Sequence, residues 1–135
     1  MAARYLIDSD ICIYFRRSRS PKVLARAATL EVGEAVMSVI TYGELAFGAE
    51  KSSERARAIA DLDRLTALIP VDSLPEEAGK MYGDVRALLA PKGRLIGPND
   101  LWIAAHALAR GLILVTNNER EFSRIPQLRL ENWAR

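Results

Sequence analysis

Acidic residues stand where predicted strands end or where predicted helices begin. Asp8 directly follows the apolar run Tyr5–Ile7, and Glu44 lies one helical turn beyond a second apolar run, 35–39. Asp100 opens the predicted helix that leads into the last long apolar strand. In open parallel α/β sheets, ligands bind outside the carboxyl ends of the strands. We therefore expect these three carboxylates to converge at that edge.

Converging carboxylates have a restricted chemistry. They repel one another, so burying them together raises their pKa values or requires a cation. A set of oxygen ligands suits Mg²⁺, or Mn²⁺, whereas the single cysteine, Cys12, and the single histidine, His106, are too few and too far apart for zinc. Such a metal site activates water and stabilises charge on a phosphoryl group. The sequence therefore predicts a metal centre at Asp8, Glu44 and Asp100.

Each acid taken alone also has a purely structural interpretation. Asp8 or Ser9 alone would serve as a helix N-cap, and the helix dipole would stabilise Asp100 in a first turn. Glu44 alone would be an exposed helix residue. Their joint placement among apolar neighbours favours the metal hypothesis, whereas Asp10 is interpreted as a first-turn charge and not as a ligand.

The elements that must position these acids alternate between strands and helices. This alternation predicts a mainly parallel sheet covered on both faces, and Pro70 predicts that the third strand lies at an edge. Strands are predicted over 5–7, 35–39, 68–71, 112–115 and 128–130, and helices over 9–17, 21–31, 40–49, 53–67 and 74–89 and from Asp100 to Ala109. We expect one domain over 1–135.

Composition sets the broad class. Half of the 135 residues are hydrophobic and 27% are charged, which is typical of a globular protein with a substantial core. No apolar stretch resembles a membrane span or a secretory signal, and Cys12 has no cysteine to pair with, so a cytoplasmic location is expected. The net charge of +2 is uneven, since residues 1–30 carry six basic and two acidic residues. That excess suits a polyanionic partner, although charge alone favours a solvated helix face.

Four blocks of the sequence resemble a known family. They are YLIDSDICIYFRR, MSVITYGELAFGAEKS, GPNDLWIAAHALARG and LVTNNEREFSRIPQLRLENW. Their order and spacing resemble PIN-domain proteins, specifically the VapC toxins of bacterial type II toxin–antitoxin modules, over essentially the full length. The resemblance implies a PIN-like three-layer α/β fold, with a central, mainly parallel sheet of four to five strands and helices on both faces. It also implies a metal-dependent endoribonuclease.

The resemblance assigns roles to individual residues. The first three acids of the family fall on Asp8, Glu44 and Asp100, which resemble ligands that hold Mg²⁺ directly or through water. These three, together with Glu121, are the catalytic residues that the resemblance implies.

The fourth acidic position departs from the family pattern. Many PIN domains have an aspartate soon after the threonine of the last core strand, whereas Asn117 and Asn118 follow Thr116 here. An acid returns at Glu121, which is the candidate for the missing charge. The resemblance also makes Ser9, Thr116 and the two asparagines pocket-lining residues.

The resemblance further implies an RNA substrate and protein partners. The implied reaction is hydrolysis of an RNA phosphodiester bond, most specifically in the anticodon loop of initiator tRNA. The backbone of the RNA would be held by basic residues: Arg16, Arg17 and Arg19, or Lys92 and Arg94. A VapB antitoxin would cover the acidic site, the toxin would form a homodimer, and operator DNA would be bound only through the antitoxin. No membrane partner is expected.

Two alternatives remain open at this level. The fragment Asp8-Ser9-Asp10 also fits haloacid-dehalogenase-like phosphatases, although Cys12 stands where those enzymes place threonine or valine. The second alternative is a non-catalytic RNA- or protein-binding domain in which the acids merely cap helices.

Overall fold

Five parallel strands form the centre of the described structure. The computed structural model describes residues 2–17 and 20–135, without the side chains of Arg16 and Arg17. The predicted RNA contacts at Arg16, Arg17 and Arg19 therefore lie outside the described residues. The strands are β1 (Tyr5–Ile7), β2 (Ala35–Ser38), β3 (Val71–Asp72), β4 (Ile113–Val115) and β5 (Leu130–Glu131). Their order across the sheet is β3-β2-β1-β4-β5, and each neighbouring pair is parallel.

Helices connect the strands and cover both faces of the sheet. They are α1 (Ser9–Arg17), α2 (Pro21–Ala28), α3 (Val39–Glu50), α4 (Arg55–Leu68), α5 (Glu77–Leu89), α6 (Pro98–Arg110) and α7 (Glu119–Phe122). A short 3-10 turn, Ala90–Lys92, follows α5. No described helix is long and apolar enough to span a membrane.

Local sequence signals explain where several helices begin and end. The Ser20 side chain accepts a hydrogen bond from Val23 N–H ahead of Pro21, a combination that favours a helix start. The Ser38 hydroxyl likewise accepts from Ile40 N–H at the start of α3. Gly111 ends α6 with a φ of 64°, a left-handed conformation that glycine adopts without steric cost.

The core consists of two apolar layers separated by the sheet. Successive strand residues point to opposite faces, so Ile7 joins one layer and Leu6 the other. The first layer contains Ile11, Val23, Leu62 and Leu65 from α1, α2 and α4, and the second contains Val85, Leu101 and Phe122 from α5, α6 and α7. The predicted three-layer α/β architecture is confirmed.

Several predicted boundaries were wrong. The third strand was predicted over 68–71, but Leu68 ends α4, and Ile69 N–H continues the helical pattern by donating to Leu65 O. The strand therefore begins only after Pro70, at Val71, and it lies at the sheet edge as predicted. The fifth strand is Leu130–Glu131 and not 128–130. The four-residue helix α7 was not predicted, since so short a segment has no detectable helical period.

Candidate active site

Asp8 lies at the carboxyl end of β1 and is almost fully buried, with 5% of its surface exposed. One carboxylate oxygen, Oδ1, accepts a hydrogen bond from Ser9 N–H at 2.9 Å. The other, Oδ2, accepts from the Thr116 hydroxyl at 2.8 Å, which joins the end of β1 to the end of β4. Each oxygen retains a lone pair for a further ligand. The side chain is thus held in a fixed orientation without being saturated.

Asp10 is a first-turn charge of α1, as predicted, and it lies at the same edge of the sheet. Its Oδ1 accepts from Ile11 N–H at 2.7 Å, and its Oδ2 accepts from Asn117 N–H at 3.1 Å. The second bond connects α1 to the loop after β4. The Asp-x-Asp spacing in the sequence was the signal that could have placed Asp10 beside Asp8.

Three more acids approach from α3, α6 and α7. Glu121 accepts hydrogen bonds from Gly97 N–H at 3.3 Å and from the Asn118 side chain at 2.9 Å, so α7 is fixed against the start of α6. The Asn99 side chain, next to Asp100, donates to Glu44 Oε2 at 3.4 Å. Gly97 and Asn99 therefore bring the acids of three separate helices towards one place.

The mutual electrostatic influence of these acids shows that they form one group. Burial, followed by the Asp10 carboxylate, raises the pKa of Asp8 to about 7, and Asp100 contributes in the same direction. Burial, followed by Glu121 and Glu44, raises the pKa of Asp100 to about 6. Burial also raises the pKa of Asp10. We call this group of five carboxylates, Asp8, Asp10, Glu44, Asp100 and Glu121, the acidic rim.

The acidic rim has the donor chemistry of a hard divalent cation. Its potential ligands are oxygen atoms, and two of its carboxyl groups have raised pKa values, first because of burial and then because of neighbouring carboxylates. Within the described ranges, no three Asp, Glu, His or Cys side chains are drawn together tightly enough to complete a metal site by themselves. Mg²⁺ keeps several of its waters and needs only one or two direct carboxylates, so the rim fits such an ion.

The structure brings the sequence-predicted site residues together. Asp8, Glu44, Asp100 and Glu121 all belong to the acidic rim, and their catalytic and metal-binding roles remain predictions. Thr116 bonds Asp8 and also accepts from Asn118 N–H at 2.9 Å. Ser9 contributes its backbone N–H to Asp8.

Asparagine side chains add connections around the rim that the sequence analysis did not anticipate. Asn132, just beyond β5, donates to Asn117 Oδ1 at 2.9 Å and to Glu119 Oε2 at 3.0 Å. With the Asn99–Glu44 contact, these bonds continue the polar network to both sides of the acids. Single asparagines in loops carry no sequence pattern that would reveal such pairing.

A second polar cluster lies further along α6. His106 is fully buried, and its Nδ1 lies 3.0 Å from Ser38 Oγ. Its Nε2 lies 2.9 Å from Asp72 Oδ2 and donates to it, because the carboxylate only accepts. Arg110 Nε donates to the same oxygen at 3.1 Å. We call Ser38, Asp72, His106 and Arg110 the His106 network.

Comparison with known proteins agrees with this geometry. The family model described as "PIN domain" matches residues 5–128. "Ribonuclease VapC2" of Haemophilus influenzae is 44% identical over 97% of this chain and 98% of the relative, and "tRNA(fMet)-specific endonuclease VapC" of Shigella flexneri is 40% identical with the same coverage. The structure of DNA-bound VapBC from Salmonella typhimurium superposes with a TM-score of 0.90 at 37% identity, covering 97% of this chain and 98% of that one. Nucleases with PIN domains generally depend on divalent metal ions. The chain belongs to the PIN-domain family, within its VapC ribonucleases.

Proposed function

We propose that this protein is a Mg²⁺-dependent endoribonuclease, with Mn²⁺ as an alternative ion, and the toxin of a type II toxin–antitoxin pair. The observation that carries the proposal is the acidic rim, where the buried Asp8 and the partly buried Asp100 lie among further carboxylates. Burial, followed by the neighbouring carboxylates, raises the pKa values of Asp8 and Asp100. Concentrating negative charge in this way costs stability, and a bound cation removes that cost. The ribonuclease names of its relatives support RNA as the substrate.

The roles of the rim residues follow from their positions. Asp8 and Asp100 would hold the ion directly, since burial limits how much water competes for them, and Glu44 would hold it directly or through water. When bound, the ion would polarise a phosphate oxygen and lower the pKa of a water. Glu121 would orient that water shell together with Glu44. Thr116 keeps Asp8 in its orientation, and Asn118 does the same for Glu121.

A tRNA is the substrate that the comparisons favour. The Shigella flexneri relative is named for action on tRNA(fMet), the initiator tRNA, and it aligns over 97% of this chain. The anticodon loop presents unpaired nucleotides, which are the usual targets of sequence-specific RNA recognition. We propose initiator tRNA as the first substrate to test.

A basic cleft beside the rim offers a place for the RNA backbone. The cleft has a volume of about 300 Å³ and contains Lys22, Arg26 and Arg135, with Glu131 as its one acid. Arg26 already bonds Tyr5 OH and Arg135 pairs with Glu119, whereas Lys22 forms no ion pair with any described residue. Since Asn132 lines the cleft and bonds Asn117, the cleft borders the rim. We propose that Lys22 contacts a substrate phosphate.

This contact predicts a specific change in salt dependence. Each phosphate contact contributes a slope of about 0.7 to 0.9 in log K against log salt concentration. Lys22→Ala should lower the slope for tRNA binding by about that amount, measured on a cleavage-deficient background. Lys80→Ala is the matched control, because Lys80 lies on the opposite face of the sheet and pairs with Asp84. Equal slopes for both variants would remove Lys22 from the substrate site.

The partners follow from the same family. The solved Salmonella typhimurium relative is a VapBC complex bound to DNA. We propose that a VapB-type antitoxin inhibits this chain by covering the acidic rim, that the toxin forms a homodimer, and that operator DNA is contacted only through the antitoxin. A cytoplasmic location follows from a tRNA substrate. We also propose that 1–135 forms one domain.

The decisive experiment removes the charge of Asp8. Asp8→Asn should reduce tRNA cleavage by at least about a thousandfold, because several kcal/mol of transition-state stabilisation depends on the ion that it holds. Its control is Asp63→Asn, which neutralises an exposed acid on α4 and should cleave like wild type. Cleavage is measured by sequencing RNA 5′ ends, with Mg²⁺ and with a chelator.

Other outcomes of this experiment would contradict the proposal. If Asp8→Asn cleaves as fast as wild type, the rim is not the catalytic site. If wild type binds tRNA without cleaving it in Mg²⁺ or Mn²⁺, the protein is a binding domain. If a phospho-aspartate can be trapped at position 8, the phosphatase alternative replaces the nuclease.

A further inference from the structure

One buried hydroxyl group near the acidic rim has no partner. Thr41 is fully buried in α3, and among the described residues its Oγ1 is the buried side-chain nitrogen or oxygen that forms no hydrogen bond. Buried polar groups are almost always bonded, because an unpaired one loses its hydration without compensation. A threonine hydroxyl inside a helix can bond the carbonyl four residues earlier, but Thr41 lies in the first turn of α3 and forms no such bond. A partner supplied from outside the chain would satisfy it.

The neighbours of Thr41 show where it faces. Ile40 packs on the apolar layer beneath α5 and α6, and Tyr42 packs on the opposite layer, beneath α1 and α4. Thr41 lies between them on the helix and therefore faces the boundary between the two layers. That boundary is the sheet itself, and α3 begins directly after β2, which is paired with β1. Asp8 stands at the end of β1, so Thr41 faces the end of the sheet where Asp8 lies.

The position of Glu44 supports the same orientation. Residues three apart on a helix are neighbours on one face, so Glu44 lies beside Thr41, one turn further along α3. Glu44 contacts Asn99 of α6 at the rim. Thr41 therefore lies on the same face of α3 as Glu44, one turn closer to the start of the helix.

Thr116, a second buried threonine at this end of the sheet, has a hydroxyl that is bonded within the chain. Thr116 is also fully buried, but its Oγ1 donates to Asp8 at 2.8 Å and accepts from Asn118 N–H at 2.9 Å. The single donor of Thr116 is therefore used within the chain, and one of its two lone pairs remains. Thr41 retains its donor and both lone pairs, so its hydroxyl has more capacity for an outside partner than that of Thr116.

We propose that Thr41 is a positioning residue whose hydroxyl binds a water of the hydrated divalent cation at the acidic rim. This inference rests on the proposed function and deepens it, because it names a residue that acts on the water shell and not on the ion itself. The ligand class is a hydrated Mg²⁺ or Mn²⁺ ion. Groups that act on such a shell typically change metal affinity roughly 10- to 100-fold when they are removed.

The test compares two substitutions that distinguish the contribution of the Thr41 hydroxyl from that of side-chain packing. Thr41→Val keeps the volume and branching but removes the hydroxyl, whereas Thr41→Ser keeps the hydroxyl and removes a methyl group. Mn²⁺ affinity is measured by calorimetry or electron paramagnetic resonance, alongside tRNA cleavage. We expect Thr41→Val to weaken Mn²⁺ binding roughly 10- to 100-fold and Thr41→Ser to remain close to wild type. A packing role predicts the opposite order, with serine the more damaging change.

Controls keep the inference separate from the proposed function. Thr66→Val removes a hydroxyl on α4 that bonds only Asp63 O, and it should leave Mn²⁺ affinity unchanged. If Asp8→Asn abolishes Mn²⁺ binding and cleavage while Thr41→Val matches wild type, the Thr41 assignment alone is wrong. If Asp8→Asn changes neither, the proposed function itself is wrong. Thr41→Ala also lacks the hydroxyl and decides the question if the valine variant does not fold.

Discussion

Two polar clusters that both include residues of α6 differ in how their charges are compensated. The acidic rim gathers five carboxyl groups, and burial and like charge raise the pKa values of Asp8 and Asp100 to about 7 and 6. The His106 network instead alternates donors and acceptors, so that Arg110 and the imidazole both donate to Asp72. The first cluster opposes folding in the absence of a cation, and the second favours it. Uncompensated charge thus distinguishes the acidic rim, the candidate active site, from the His106 network, whose charges are compensated and support the fold.

The two clusters are mechanically connected. Asp100 lies in the first turn of α6, and His106 and Arg110 follow on the same helix. The network joins this helix to β2 through Ser38 and to β3 through Asp72. Ser38 also caps α3, the helix that carries Glu44. The network therefore fixes the two helices whose acids must hold their place against mutual repulsion.

The largest expected effect on stability comes from breaking the His106 network. His106→Ala leaves a cavity, removes a partner from Ser38 and another from Asp72, and should lower the free energy of unfolding by about 3 kcal/mol. Asp8→Asn should leave that free energy unchanged or raise it, because a buried charge is removed while an amide can still bond Ser9 N–H and Thr116. Urea unfolding of both metal-free variants measures the difference. Equal destabilisation by the two substitutions would contradict the comparison.

The composition of the site was predictable from sequence because it depends on strand ends. Asp8 follows β1 directly, and the start of a helix that leads into a parallel strand must lie at the same edge, which placed Asp100 correctly. The layers were predictable for the same reason, since Leu6 and Ile7 point to opposite faces of any strand. These inferences need only the order of strands and helices along the chain and the alternation of side chains along a strand.

What could not be predicted depends on contacts between distant side chains. Asp10 joins the rim because Asn117 N–H, 107 residues away, bonds its carboxylate. The partners of His106 come from β2 and β3, 68 and 34 residues away, and no pattern within α6 identifies them. The end of α4 was predicted wrongly because apolar residues such as Leu68 and Ile69 are compatible with either a buried helix end or a strand. Periodicity cannot distinguish these cases over so short a run.

The raised pKa values of the acidic rim should make the stability of the metal-free protein depend on pH. Asp8 and Asp100 have raised pKa values in the folded state against 3.8 for the unfolded chain, so the folded protein binds more protons between pH 4 and about 7. The stability of the metal-free protein should therefore fall as pH rises from about 4 through 6 and 7, by a few kcal/mol at most. Urea unfolding in the presence of a chelator, at intervals from pH 4 to 8, measures this slope.

The double variant Asp8→Asn, Asp100→Asn provides the control for that slope. Without the two titrating groups, the decline in stability between pH 4 and 7 should largely disappear. A bound divalent cation should have the opposite influence, since its ligands must be deprotonated and its affinity rises with pH. A decline of the same size in wild type and double variant would show that other groups cause it.

Glu121, the candidate for the fourth acidic position of the family, should have the least influence of the residues tested. Glu121 is, after burial, the largest cause of the raised pKa of Asp100, and it is fixed by Asn118 and Gly97 N–H. Glu121→Gln should lower the pKa of Asp100 and, by removing one negative charge, weaken Mn²⁺ binding and cleavage at neutral pH about tenfold. Glu77→Gln, on an exposed acid of α5, should change neither. If Glu121→Gln behaves like Glu77→Gln, Glu121 does not supply the missing charge, and the rim works with the acids of β1, α1, α3 and α6.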